Sequence, residues 1–150
     1  MPIERKARPR YIYDFCVGLY KIQVDGGRYF LCEHLLTASS WLEPRIKSMA
    51  NLDGTLITKA HMCAYGTKNL DKMGNQFVYK PTQFMPKSPH MAAQLERKCD
   101  RNHKHAVLGG NRARKAAVYP TKLIDATCNG MQDQRKADRF DLNLVASIDQ

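Results

Sequence analysis

Cys99, His103 and His105 fall within the seven-residue stretch CDRNHKH. Thiolate and imidazole are the donors zinc prefers, and a structural zinc takes four of them in a tetrahedron. The spacing Cys-x3-His-x-His therefore supplies three candidate ligands but no adjacent second pair. Cys63 or Cys128 is available in principle as a fourth. Two further readings stay open. The imidazoles and cations of this loop contact phosphate oxygens directly, or the loop is simply solvated. Zinc is the one candidate cofactor, and nothing else in the chain asks for another.

A second group with chemical capacity is Glu33. It ends the apolar run Tyr29-Phe30-Leu31-Cys32, which itself follows a turn signal at Gly26-Gly27. An acid there, with His34 beside it, stands out in a chain with 24 Lys and Arg against 14 Asp and Glu. Taken alone, Glu33 has plain uses: pairing with a nearby cation, or capping the helix that follows.

The net charge of +10 is unevenly placed. Arg5, Lys6, Arg8 and Arg10 face only Glu4 in a basic N-terminal arm. Further along, Arg97, Lys98, Arg101, Lys104, Arg112, Arg114 and Lys115 stand against Asp100 alone, while the last thirty residues are close to neutral. Cations clustered in this way are the footprint of a polyanion, here RNA or DNA. In extended backbone Arg112 and Arg114 point the same way, spaced to meet phosphates. Gly109 and Gly110 beside them allow close backbone approach. The aromatic residues, Trp41 among them, fit core packing better than base stacking.

What must position these groups is one ordinary domain of 150 residues, 43% of them hydrophobic, which excludes wholesale disorder. No apolar run approaches the ~20 residues of a membrane helix, so a soluble protein with no membrane partner is expected. The N-terminus lacks the apolar core of a secretory signal. Five cysteines, an odd number without framework spacing, point to an intracellular, reducing compartment.

Ile12, Phe15, Cys16, Leu19 and Ile22 or Gln23 form a stripe at helical spacing that Gly26-Gly27 terminates. RYFLCE reads as a strand, its apolar run suited to burial on both faces as in a parallel sheet. A second helix over TASSWLEPRIKSMANLDG is capped by Ser39 or Ser40, with Pro44 in its first turn. TLITKAHMCAYG predicts a strand ending at Gly66, and NQFVYKPTQFMP one or two short strands. Ser88-Pro89 opens a third helix and Tyr119-Pro120 a fourth, which Asn129-Gly130 closes. The remainder is a last helix or a docking tail. This alternation predicts an α/β fold with a mostly parallel sheet and flanking helices.

The order of these signals resembles the back half of cytosine-5 DNA methyltransferases, most closely the divergent segments in phage-type enzymes and eukaryotic retroelement polyproteins. FLCEH stands where that family has a strand ending in Glu-Asn. Cys63-Ala64-Tyr65-Gly66, Lys80-Pro81-Thr82, the Cys99/His103/His105 loop and Tyr119-Pro120-Thr121-Lys122-Leu123 follow in the family's order, across about residues 11 to 131. The resemblance implies an incomplete Rossmann-like half-domain over 11–131, between a basic arm at 1–10 and a helix or tail at 132–150. It also implies that Glu33 is the relic of a pocket in which the family's acid binds a flipped cytosine, with His34 in place of the usual Asn. Neither the G-x-G of a cofactor loop nor the P-C of the nucleophile loop occurs in the chain, which leaves methyl transfer without a route in this chain alone. The expectation is a non-catalytic nucleic-acid-binding protein, an RNA-binding part of a ribonucleoprotein such as a ribosome, with other protein chains covering an exposed sheet edge. The alternative is part of a split or retroelement-encoded methyltransferase whose cofactor and nucleophile come from a second chain.

Overall fold

The computed structural model describes residues 10–71, 74–106 and 118–148. Among these residues are four α-helices and six strands: α1 (Arg10–Asp25), β1 (Leu31–Leu35), α2 (Pro44–Ala50), β2 (Thr58–His61), β3 (Lys68–Asp71), β4 (Gly74–Val78), β5 (Pro81–Pro86), α3 (Pro89–Leu95), β6 (His105–Ala106) and α4 (Thr121–Ile148).

The main sheet has the order β1-β5-β2, with β5 antiparallel to both neighbours. This corrects the mostly parallel, Rossmann-like sheet predicted above. The strands β1 and β2 do run parallel to each other, on either side of α2, but they never pair. The strand β5 inserts between them from the opposite direction. The reason lies in which strand is most apolar. Thr82, Phe84, Met85 and Pro86 of β5 are all buried, whereas β1 is only half-buried and β2 alternates. A strand buried on both faces belongs in the centre, and PTQFMP satisfies that better than RYFLCE.

The alternation of β5 divides the core in two. Phe84 joins Ala60, Met62, Tyr65, Met91, Leu95, Leu123 and Ala126 on the side of α3 and α4. Met85 joins Val17, Phe30, Ile46 and Met49 on the side of α1 and α2. Helices thus cover both faces of a small antiparallel sheet. Full burial of a side chain such as Phe84 contributes about 2–3 kcal/mol. A second sheet, β3-β4-β6, is mixed: β3 and β4 form an antiparallel pair, and β6 joins β4 in parallel over two residues.

The helices depart from expectation in instructive ways. In α1 the side facing the core is Tyr13, Val17, Tyr20 and Val24, with Tyr20 stacked on Phe30 at 4.7 Å. The stripe of Ile12, Phe15, Leu19 and Ile22 faces outward. The expected second helix is broken: Ser39–Leu42 make a turn of 3-10 helix, and α2 starts afresh with Pro44 at its first position. Ser88 caps α3 as predicted, its hydroxyl accepting the Met91 N–H at 3.1 Å. Gly130 does not end a helix, because α4 runs through it for 28 residues. Its role is close approach: a Cβ at Gly130 would sit 2.7 Å from the Met91 Cα of α3. Beyond it, Gln134 accepts a hydrogen bond from Ser88 and Asp138 accepts one from Tyr29, which dock the helix onto the body.

Candidate metal centre and its basic surround

Four ligand-bearing side chains, Cys63, Cys99, His103 and His105, converge so that their donor atoms all lie within 4.8 Å of one another. They reach that point from two segments. Cys63 sits in a turn of 3-10 helix, Met62–Tyr65, that follows β2 and stops at Gly66, whose φ of 82° suits glycine. The other three come from the loop after α3 and from β6, which pairs with β4 and thereby fixes His105 opposite Phe77. Three of the four are the predicted ligands. The fourth is Cys63, and Cys128 instead lies exposed on α4.

Two of the spacings match those around a tetrahedral ion. Cys99 Sγ lies 3.5 Å from His103 Nε2 and 3.4 Å from His105 Nε2. Zinc bonds of about 2.3 Å to sulfur and 2.0 Å to nitrogen, at tetrahedral angles, place S and N about 3.5 Å apart. The outward ring nitrogen of His103 is held as a metal-binding imidazole requires: its Nδ1 is 3.0 Å from Asn102 Oδ1 and 3.5 Å from Asp100 Oδ1. Hydrogen bonds of that kind keep the proton on Nδ1 and leave Nε2 free as a donor to metal. The Arg101 N–H points at Cys99 Sγ at 3.3 Å, in a turn where Arg101 takes a φ of 61°. Behind the loop, the Cys99 N–H donates to His61 Nδ1 at 3.0 Å, and the far nitrogen of His61 lies 3.3 Å from the Tyr79 hydroxyl. Burial, followed by the nearby Arg101, lowers the pKa of His61, in keeping with a neutral ring that accepts there.

Without a cation the cluster is poorly balanced. Burial, then the hydrogen bond and charge of Cys99, push the Cys63 thiol up to about 11. A bound divalent cation inverts that preference, because a coordinating thiol is deprotonated outright. The residues can hold a metal, and four side-chain ligands leave no open position for chemistry.

Cations surround the cluster. Arg97, Lys98, Arg101 and Lys104 are exposed on the same loop, and the Arg97 guanidinium lies 5.0 Å from the centre of the Tyr65 ring. An open cavity of about 590 Å³ beside Cys99 and His103 is lined by Arg97, Lys98 and, from the start of α4, Lys122. Lys122 escaped sequence reasoning because it lies far from the loop in the chain. Arg5, Lys6, Arg8, Arg112, Arg114 and Lys115 lie outside the described residues, and so does the side chain of Arg10.

Glu33 occupies a different place. It is the third of five residues in β1, opposite Phe84, so its side chain lies on the α3/α4 face. Its Oε2 accepts a hydrogen bond from the Tyr119 hydroxyl at 2.7 Å, and Lys80 Nζ lies 3.7 Å from Oε1. Of its plain uses, cation pairing is the one present. Burial, then the bond to Glu33, raise the Tyr119 pKa to about 12. An apolar cavity of about 360 Å³ opens beside it, lined by Leu31, Phe84, Leu123, Ile124 and Cys128. His34 points to the opposite face, where its Nδ1 meets Ser40 Oγ at 2.6 Å.

No protein-family model matches the chain, and neither a curated protein nor a solved structure is found similar to it. Among the described residues no helix is long and apolar enough to cross a membrane.

Proposed function

We propose that the chain is a non-catalytic nucleic-acid-binding protein whose basic loop is held in shape by a structural zinc ion. Cys63, Cys99, His103 and His105 are the ligands. The observation that carries this reading is the convergence of those four donors inside a loop bearing Arg97, Lys98, Arg101 and Lys104. Such loops have little apolar material of their own, so an ion that ties two segments together fixes where the cations sit. Phosphate contacts from a fixed array position a duplex or a folded RNA, while carrying no sequence information themselves. The role that fits is a structural RNA-binding component of a ribonucleoprotein. The outer edge of β1 pairs with no strand among the described residues and is where another protein chain of that assembly would add.

Binding of RNA and DNA measured across a salt series, with and without a chelator, tests this. The four loop cations alone give a log–log salt slope of about −3.6 on duplex DNA and about −2.8 on single strands, and chelation weakens binding. A shallow slope, or binding indifferent to chelation, overturns it.

One observation favours a second reading. Glu33 lines an apolar cavity, and its Oε1 has Lys80 Nζ at 3.7 Å but no hydrogen bond, so a base with donor groups on its edge would find an acid there. On that reading the chain is part of a split cytosine-5 methyltransferase. Methyl transfer from labelled S-adenosylmethionine stays blank for this chain alone and appears only when a second chain supplies the cofactor loop and nucleophile.

A further inference from the structure

The outward face of α1 is apolar without being part of either core. Tyr11 is 69% exposed, Phe15 66% and Ile22 58%, with Ile12 and Leu19 also exposed. The opposite side of the same helix, Tyr13, Val17, Tyr20 and Val24, already packs on the sheet. A helix that serves only one core has one apolar stripe; this one has two.

The spacing of the outer stripe is specific. Ile12, Phe15, Leu19 and Ile22 follow one another at intervals of three, four and three, the a/d seam of a two-stranded coiled coil. We infer that α1 is a dimerisation helix and that its occupant is a second copy of this chain, paired antiparallel. The seam is self-complementary in that direction. Ile12 meets Ile22 of the second copy and Phe15 meets its Leu19, so two pairs of layers close on a two-fold axis. Gly18 lies beside that axis, and a Cβ there meets nothing within 4 Å, which leaves room for close approach of the helices.

Area and the alignment of helix dipoles favour a copy of this chain as well. Full burial of the exposed parts of these five residues would remove roughly 600 Å² per protomer, which brings the pair to the ~1,200 Å² lower bound of stable interfaces. The antiparallel arrangement also sets each helix's positive end against the other's negative end. The net charge of +10 opposes self-association. Salt therefore tightens the dimer while it loosens nucleic acid, and the two processes separate on one axis.

The test is sedimentation equilibrium of the full chain, freed of nucleic acid, at micromolar concentration and at low and high salt. The expected mass is twice the 17.1 kDa of the chain, with the dimer favoured at higher salt. Phe15→Glu and Leu19→Glu each weaken dimerisation at least ~100-fold, as loss of a central anchor does. Because both side chains are exposed, the variants keep the helical circular dichroism and metal content of the parent. A parent that is monomeric at every concentration and salt overturns the inference. So does a Phe15→Glu chain that still sediments as a dimer.

Discussion

The Cys/His cluster and the Glu33 cavity are the two places where chemically capable side chains gather, and they are held in opposite ways. The cluster is built from a turn, a loop and a two-residue strand, with cations on its rim. Glu33 stands on a regular strand against the core and already has a tyrosine and a lysine as partners. Two thiols and two imidazoles are joined to one another by long contacts at Cys99 Sγ, whereas Glu33 has a hydroxyl on one oxygen and an ammonium near the other. The cluster could hold a metal ion, and an acid with two partners has less to gain from a ligand.

Mutations break that contrast in order of size. Cys99→Ser removes a central ligand, and zinc affinity falls at least ~1,000-fold, since the ion's binding energy is also the loop's folding energy. Elemental analysis gives well under one zinc per chain, and thermal unfolding occurs at lower temperature. Glu33→Ala leaves Lys80 without its carboxylate and the Tyr119 hydroxyl without its acceptor, at a cost of about 2 kcal/mol. Urea unfolding reads that loss, while zinc content and nucleic-acid affinity stay at parental values. A Glu33→Ala chain that loses its zinc would show that the two regions are one.

Two smaller changes sharpen the contrast. Asn102→Ala removes the nearer of the two acceptors for His103 Nδ1 and weakens zinc about 10-fold in competition with a chromogenic chelator, as outer partners of metal-bound histidines do. Arg101→Ala leaves the ion in place, lowers affinity for all sequences alike, and reduces the salt slope by about 1.

Local chemistry was legible in the sequence; long-range pairing was not. Ser88-Pro89 announces α3, and Gly26-Gly27 ends α1, because caps and breakers act within a few residues. The Cys99-x3-His103-x-His105 spacing names three ligands for the same reason. Cys63 joins them across 35 intervening positions, through a turn whose Gly66 was the only local clue. The insertion of β5 between β1 and β2 is equally non-local. Alternating helix and strand signals fit a parallel sheet until the most apolar strand takes the centre and reverses direction. Two features misled because one residue type serves two purposes. Gly130 reads as a helix stop but permits the approach of α3, and the outer stripe of α1 reads as its core face because both faces are apolar.

Zinc content of the chain purified without added metal or chelator tests the central claim most directly. One tightly held zinc per chain, lost together with the order of the 96–106 loop on substitution of Cys63 or Cys99, is the expected result. A folded protein with no bound metal, in which that loop keeps its shape and still grips nucleic acid, contradicts it.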